Sequence, residues 1–379
     1  MTENAEVEIL PAEPIDPEAS IEQQEEAERE VDDSNESPPS DIVAYNELRS
    51  GADLLRMYQE GDLIIQPDFQ RDVVWKSTDQ TRFIDSLIKQ LPIPSMCFAY
   101  DAKKNEWLVI DGLQRISTIV RFLNGEDWRL SNLPDIDDVL RNKSPATFKT
   151  AKPGTDLRKV FSKVQNQTIP INVLRCDFSK RSHNEYLFTI FHRLNSGGLK
   201  LNNQEIRNCI YSGTFNQALK TWDNDPNWRA VNNMQPGEKY RFAKQEAILR
   251  FFAFLRNREN YKGSVAKFLN DYMSSNRHAD DTVIKEHGDL FTRVVKVLAE
   301  KFITQRPPSR MPGTVLEAIM VGIAENLIHL EGATVAHCQQ LLVKFRAHNS
   351  ISDSELAEGL SKKDKVDARL NAATAIFAE

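Results

Sequence analysis

Apolar and polar residues along the first half of the chain predict short strands separated by amphipathic helices. Apolar runs predict strands at residues 63–65 and 169–174. Residues 96–100 and 106–110 flank the polar stretch 101–105, which predicts a hairpin. Strands that alternate with helices in this way are typical of an α/β domain.

The segments between these strands have the apolar periodicity of helices. It predicts helices at residues 54–59, 77–89 and 183–194, and a further helix that ends near Asn124-Gly125. Ser77 or Thr78 is expected to cap the second of these helices. Residues 131–155 have no clear period and are expected to be rich in loops.

Beyond residue 196 the apolar pattern becomes helical throughout. The candidate helices are residues 202–222, 240–257, 262–275, 282–304, 313–330, 334–346 and 363–378. The sequence therefore predicts the α+β class, with an α/β domain at 42–195 followed by an all-α domain at 196–379.

Charge separates an acidic leader from a basic body. The chain has a net charge of −7, but its first forty residues contain fourteen acids and one base, Arg29. The remaining residues carry 47 bases and 41 acids. Residues 1–41 also have few large apolar side chains, so we expect them to be disordered. The mildly basic body is compatible with a nucleotide or nucleic-acid ligand.

Cysteine spacing and hydropathy favour a cytoplasmic protein. The four cysteines (Cys97, Cys176, Cys209 and Cys338) lie far apart and form no CxxC pair, so reduced thiols are expected rather than disulfides or a zinc site. No apolar run has the length of a membrane span, and no signal peptide is visible, so no membrane partner is expected.

The stretch 107–121 carries the clearest chemical signal. The apolar run 107–110 ends in Asp111-Gly112, and a helical pattern that contains Arg115 in its first turn follows. A strand, a glycine and a helix start is an arrangement that directs backbone N–H groups at phosphate. A cation in the first turn opposes the helix dipole, which favours a role in gripping an anion. An ordinary connection with a surface arginine explains the spacing equally well.

Several blocks of this sequence resemble one known family. Asp111-Gly112-Leu113-Gln114-Arg115 is similar to the DGQQR box of the GmrSD-type restriction endonuclease N-terminal domain, a ParB/sulfiredoxin-like family, although Leu113 replaces the first glutamine. The other similar blocks, in the same order, are residues 67–71 with 74–75, 91–94, 191–198, 201–208 and 244–251. The resemblance covers roughly residues 43–270.

The resemblance implies a nucleoside triphosphate site. In such folds the corresponding boxes surround the triphosphate, so the nucleotide-binding candidates are Gln70, Arg71, Gly112, Gln114, Arg115, Ser117, Thr118, Arg193 and Asn195. The catalytic candidates are Asp111, Gln114 and Arg115, and Asp111 is the candidate ligand of Mg²⁺. Several cations around one triphosphate fit phosphoryl transfer, which needs mainly positioning and neutralisation of charge.

Most of these candidates have an ordinary structural alternative. The presence of Asp111 is explained equally well if it caps a helix or forms a turn, and that of Thr118 if it is an ordinary residue on the surface of a helix. The alternative for Arg71 is a surface arginine that packs on Trp75 instead of binding nucleotide. The turn 195–198 is either a second wall of the pocket or only the end of a helix. Glu205 and Arg207 are two residues apart, so one is expected to face the pocket and the other solvent.

The implied function is that of a stand-alone subunit of a prokaryotic restriction or antiviral defence system. It would bind and hydrolyse a nucleoside triphosphate and license a partner nuclease. Two alternatives remain at this point: a nucleotide-dependent DNA-binding sensor or clamp without turnover, and a nuclease or nickase that itself cuts DNA. The seven histidines are scattered, and His183 and His192 are nine residues apart, which disfavours a metal-dependent nuclease in this chain.

A second basic stretch is better explained by packing. Residues 241–267 combine bases with aromatics, as a nucleic-acid surface would. However, Phe251, Phe252 and Phe254 are spaced as the core of a buried helix, with Lys244 or Arg250 reaching inward.

Overall fold

The chain forms two compact units. The computed structural model describes residues 38–65, 75–194, 201–232, 234, 242–304, 313–357 and 359–379. The first unit comprises the described residues up to Ile210, and the second begins at Tyr211. The first unit contains a sheet with helices and the second is helical, which confirms the predicted α+β class.

The first unit is built on a five-stranded mixed sheet. Its strands are β1 (Val43–Ser50), β2 (Leu63–Ile64), β3 (Met96–Asp101), β4 (Glu106–Asp111) and β5 (Thr168–Cys176). Their order across the sheet is β1-β5-β3-β4-β2. The pairs β1–β5 and β3–β4 are antiparallel, whereas β3–β5 and β2–β4 are parallel.

Helices cover the central strands on both faces. The helices of this unit are α1 (Gly51–Glu60), α2 (Ser77–Ile88), α3 (Leu113–Asn124), α4 (Pro145–Lys149), α5 (Asp156–Asn166), α6 (Arg181–Leu194) and α7 (Asn203–Ile210). One face of the sheet shares a core with α1, α2, α3 and α5. Helix α6 packs against β4. All of Trp107–Ile110 is buried, as the continuous apolar run predicts.

The sequence pattern missed three elements: strand β1 and helices α4 and α5. Strand β1 is an edge strand with mostly exposed side chains, so it has no apolar alternation to detect. Helix α4 lies inside the stretch expected to be loop, and α5 follows it directly. Only Val160, Phe161 and Val164 of α5 are buried, which is too narrow a stripe to stand out among its polar residues.

Asp41, the last residue of the predicted acidic leader, is attached to the first unit. Its carboxylate accepts hydrogen bonds from Lys180 and from Nε2 of His183, the latter at 2.9 Å. Nδ1 of this buried ring accepts the N–H of Asp177, so Nε2 carries the proton. The hydrogen bonds from Lys180 and His183 lower the pKa of Asp41 to about 2.

We therefore expect two truncations to differ. Deleting residues 1–37 should leave the melting temperature unchanged, whereas deleting residues 1–41 should lower it, because Asp41 is then lost. The folded-state pKa of Asp41 lies below its ordinary value of 3.8, so its stabilising contribution is present above that value and disappears as the pH falls towards about 2. Thermal unfolding of both truncations near pH 7 and near pH 2–3 measures the difference. Equal melting temperatures at pH 7 would contradict this role.

The second unit is a helical body. Its helices are α8 (Thr214–Trp222), α9 (Pro226–Val231), α10 (Ala243–Asn257), α11 (Val265–Asn276), α12 (Asp281–Val297), α13 (Gly313–Glu325), α14 (Leu327–Gly332), α15 (Val335–Arg346), α16 (Asp353–Ala357) and α17 (Lys363–Phe377). A π-helical turn, Leu298–Phe302, extends α12, and short 3₁₀ turns lie at Arg258–Asn260 and Asn349–Ile351.

The helix expected at residues 202–222 is divided at Gly213. This residue has extended backbone, with φ 169°, and caps α8. A Cβ at this position would lie 2.1 Å from the carbonyl oxygen of Arg277, so only glycine allows the close approach. The helical period continues across the break and conceals it, because both halves bury apolar residues.

Aromatic residues fill the core of the helical body, as the packing interpretation of residues 241–267 predicts. Phe251, Phe252 and Phe254 are buried, and Phe251 and Phe252 lie 4.8 Å apart between ring centroids. Lys244 and Arg250 are also buried. Nε of Arg250 donates to Oε2 of Glu317 at 2.7 Å, which forms a buried ion pair between α10 and α13.

All four cysteines are free and buried. Within the described parts of the chain, no helix combines the length and the apolar character needed to cross a bilayer.

Candidate functional site

The connection from β4 to α3 has the predicted strand, glycine and helix start. Gly112 is the N-cap of α3 and adopts the left-handed conformation, with φ 100°. A Cβ on Gly112 would lie 2.6 Å from Cγ of Met96, so both the backbone angle and the available space require glycine. The N–H of Ile116 makes the first helical bond, to the oxygen of Gly112 at 2.9 Å.

This helix start has no side-chain cap. Among the described residues, the N-cap Gly112 makes no side-chain hydrogen bond to the first turn of α3. In contrast, α1, α4 and α5 are capped by the hydroxyls of Ser50, Ser144 and Thr155. The first N–H groups of a helix lack partners inside the helix and carry the positive end of its dipole. The first turn of α3 is therefore able to bind an anion.

Arg115 is held across the strand end and the helix start. Its Nη2 donates to Oδ2 of Asp111 at 2.7 Å, and its Nη1 donates to the oxygen of Pro94 at 2.6 Å. The Arg115 side chain is 14% exposed and that of Asp111 is 38% exposed. These two contacts fix the guanidinium plane and explain why a cation is tolerated in the first helical turn. Among the described residues, Nε of Arg115 has no hydrogen-bond partner.

Gln114 lies close to Trp75, which belongs to another block of similarity, residues 67–71 with 74–75. Its Oε1 is 3.5 Å from the backbone N of Trp75, which is a long contact. Trp75 packs edge-on against Phe83, with ring centroids 5.5 Å apart. The predicted nucleotide-binding residues Gln70 and Arg71, like Asn195, lie outside the described residues.

Ser117 and Thr118 are turned into the protein. Both residues are buried. The Thr118 hydroxyl donates to the backbone oxygen of Gln114 at 2.7 Å, within the helix. Its hydrogen-bonding capacity as a donor is therefore used inside α3.

Cys97 faces Asp111 across the β3–β4 ladder, next to a bulge between Cys97 and Phe98. Burial first, and then the charge of Asp111, raise the pKa of the Cys97 thiol to about 12. The thiol is therefore protonated at neutral pH, and a protonated thiol is a poor nucleophile.

The end of α6 and helix α7 hold the other predicted residues. Arg193 is exposed in the last turn of α6. The expectation that either Glu205 or Arg207 faces solvent is wrong, because both are buried. The reason is that every side chain of α7 from Gln204 to Ile210 is buried, so this helix has no solvent face.

Several polar side chains of α7 form local contacts. Oε2 of Glu205 accepts the N–H of Asn202 at 2.7 Å, and Oδ1 of Asn202 accepts the N–H of Glu205 at 2.9 Å. This reciprocal capping fixes the start of α7. The Arg207 guanidinium lies over the Phe188 ring at 5.9 Å, which fixes α7 against α6.

Sequence reasoning did not assign a role to Pro94 and Ser95. The oxygen of Pro94 holds Arg115, and the hydroxyl of Ser95 accepts a hydrogen bond from Asn172 at 3.2 Å. The similar block at residues 91–94 marks this segment of the sequence. The role of a backbone carbonyl group, however, cannot be predicted from a pattern of side chains. Within the described residues, no three His, Cys, Asp or Glu side chains are grouped as a metal site would need.

The comparison with known families agrees with this geometry. Residues 52–212 match the family model of the GmrSD restriction endonuclease, N-terminal domain. This segment is a GmrSD N-terminal domain. It contains β2 to β5 and the entire β4–α3 connection. The domain indicates a restriction-system protein with a DNA-related function. Neither the curated proteins nor the solved structures give a match to the chain.

Proposed function

We propose that the GmrSD N-terminal domain binds a nucleoside triphosphate at the β4–α3 connection and hydrolyses it. Hydrolysis would license a partner nuclease of the restriction system. The observation that carries this proposal is the start of α3, at which Gly112 supplies no side-chain cap and Arg115 is held in place. The domain match supports the class of system but does not extend to the nucleotide.

The backbone provides the first set of phosphate ligands. The N–H groups of Leu113, Gln114 and Arg115 precede the first helical bond, so they point out of the helix start. Backbone N–H groups combined with a helix dipole stabilise phosphate without a further charge.

Arg115 provides the charge. Its guanidinium is anchored on one side by Asp111 and Pro94, which leaves Nε for an incoming phosphate oxygen. Charge-assisted bonds from an anchored arginine are stronger than those from a mobile one, because less rotational freedom is lost on binding. The proposal extends to Gln70, Arg71, Arg193 and Asn195 as further phosphate ligands. It gives the buried Ser117 and Thr118 no direct contact with phosphate.

The residue that would hold Mg²⁺ is Asp111. A single carboxylate that acts together with phosphate oxygens is a donor set that Mg²⁺ commonly uses, and the Asp111 side chain is 38% exposed. When bound, the metal would supply neutralisation of phosphate charge.

In the proposed reaction a water oxygen attacks the terminal phosphorus. The bond from that phosphorus to the bridging oxygen breaks, which gives a nucleoside diphosphate, inorganic phosphate and a proton. Arg115 and the helix N–H groups stabilise the negative charge, which is the main requirement of phosphoryl transfer. Gln114 orients the water through its side-chain amide, which has both a donor and an acceptor.

Phosphate release tests this assignment. The chain is mixed with each of the four triphosphates and Mg²⁺, with and without DNA. Gln114→Ala should retain triphosphate binding but slow release roughly 100-fold, because the attacking water is no longer positioned. Gln59→Ala is a matched control, since Gln59 is exposed and its amide donates to Asn124, away from the helix start. Tight binding without release by the unmodified chain would refute hydrolysis and favour the sensor or clamp alternative.

A further inference from the structure

Helix α5 borders an open groove that shares no residue with the β4–α3 connection. The groove has a volume of about 770 Å³. It is lined by Gln90, Pro153, Gly154, Arg158, Lys159, Ser162, Lys163, Asn166 and Gln167. Three cations and three amides line this α5 groove, and no carboxylate does. An anionic ligand is therefore the one that its charge fits.

Two of the cations are held by carbonyl oxygens. Nη1 of Arg158 donates to the oxygen of Lys149 at 2.9 Å, and its guanidinium lies 4.9 Å from the centre of the Phe161 ring. Nζ of Lys163 lies 3.4 Å from the oxygen of Ile88. Among the described residues, neither side chain forms an ion pair, so both keep their full charge for a ligand.

The third cation, Lys159, forms an ion pair with Asp156 that would compete only weakly with an anionic ligand. Nζ of Lys159 lies 2.9 Å from Oδ1 of Asp156, and these side chains are 65% and 84% exposed. Water and salt screen an ion pair that is this exposed, so it contributes little. A phosphate that enters the groove can therefore displace Asp156 at small cost.

The spacing of the cations fits a nucleic-acid backbone. Lys159 and Lys163 are four residues apart on α5, so they share one face and are separated by about 6 Å along the helix axis. Phosphates follow one another at about 3.4 Å along the axis of one DNA strand, so this distance spans about two phosphate steps. The open side of Gly154, where a Cβ would meet nothing within 4 Å, lets a backbone approach closely.

The groove lining also indicates which part of the nucleic acid is contacted. It contains no aromatic residue, so it offers no platform on which bases can stack. Cations and amide donors are the groups that contact phosphates and fix the register of a protein on DNA. The groove lies entirely within the GmrSD N-terminal domain, and that domain indicates a DNA-related function.

We propose that the α5 groove binds the phosphate backbone of duplex DNA and positions the domain on DNA without regard to base sequence. This binding is independent of the proposed triphosphate site. Residues 1–40 are the other polyanion that the charge of the groove fits, and they belong to the same chain.

The test compares two variants with equal loss of charge. The groove variant is Arg158→Gln/Lys159→Gln/Lys163→Gln. The control variant is Lys103→Gln/Lys104→Gln/Arg181→Gln, three exposed cations outside the groove. The affinity of the full-length chain for a labelled mixed-sequence duplex is measured by fluorescence anisotropy over a series of salt concentrations, without nucleotide.

In the groove variant the affinity at low salt should fall at least about tenfold. The plot of log affinity against log salt should become shallower by about 2–3 units, since each lost phosphate contact removes about 0.9. The control should change both quantities much less. Because Arg158 is half-buried, the exposed pair Lys159→Gln/Lys163→Gln serves as a second variant, with a change of about 1–2 units. Equal affinity and slope for groove and control variants would overturn the proposal, as would occupation of the groove by residues 1–40 instead of DNA.

Discussion

Replacing Arg115 by alanine is expected to lower the affinity of the chain for nucleoside triphosphate at least tenfold. A charge-assisted bond to phosphate contributes about 1.5–3 kcal/mol, and about 1.4 kcal/mol corresponds to a factor of ten in affinity. Arg115 also orients Asp111, so the variant loses the positioning of the carboxylate that would hold Mg²⁺. Calorimetric titration of the variant and of the unmodified chain measures the change.

Arg121→Ala is the matched control for Arg115→Ala. Arg121 lies on the same helix and has the same charge, but it contacts Glu126 and Gln80 rather than the helix start. The control should bind triphosphate as the unmodified chain does. Arg115→Lys keeps the charge without the planar guanidinium, so its affinity for triphosphate should lie between those of Arg115→Ala and Arg121→Ala. Melting temperatures measured alongside separate loss of binding from loss of folding. Unchanged affinity in a folded Arg115→Ala protein would remove Arg115 from the site.

Replacing Glu317 by glutamine is expected to give the largest loss of stability. Glu317 is buried beside two guanidinium groups, Arg250 at 2.7 Å and the buried Arg369. Burial lowers the pKa of Arg369 and the charge of Glu317 opposes that effect, while among the described residues Nη1 of Arg369 has no hydrogen-bond partner. Without the carboxylate, two buried cations repel each other, and the more distant Glu246, 3.7 Å from Arg250, remains beside them. Breaking such a pair from one side costs about 3–5 kcal/mol.

Thermal unfolding measures this loss. For a unit of this size, about 3–5 kcal/mol corresponds to a decrease of roughly 6–20 °C in the melting temperature. Glu331→Gln is the matched control. It breaks the ion pair with Arg293, in which the Arg293 and Glu331 side chains are 50% and 37% exposed, so it should lower the melting temperature far less. If the two variants melted at the same temperature, Glu317 would not be the compensating charge of the helical body.

Elements with strong apolar periodicity were predictable from the sequence. Strand β4 is a continuous apolar run because both its faces are covered, and α2 and α3 have wide apolar stripes. Strand β1 and helix α5 were not predictable, because few of their side chains are buried. Their positions depend on partners far away in the chain: β1 pairs with β5, and α5 packs with α1 and α2.

The candidate site was predictable where it is local in sequence. Asp111, Gly112 and Arg115 lie within five residues, so one strand-to-helix connection brings them together. The carbonyl of Pro94 was not predictable, since it reaches Arg115 through the pairing of β3 with β4. The burial of Thr118 and of all of α7 follows from tertiary packing, which spacing along one helix does not reveal. The α5 groove was missed because the helix that forms it was missed.

Triphosphate binding at the β4–α3 connection is tested most directly by a crystal structure of the chain with a non-hydrolysable triphosphate and Mg²⁺. The predicted result places phosphate oxygens within hydrogen-bonding distance of Nε of Arg115 and of the N–H groups of Leu113 and Gln114. A triphosphate bound elsewhere on the chain, or an empty connection at saturating concentration, would contradict the account.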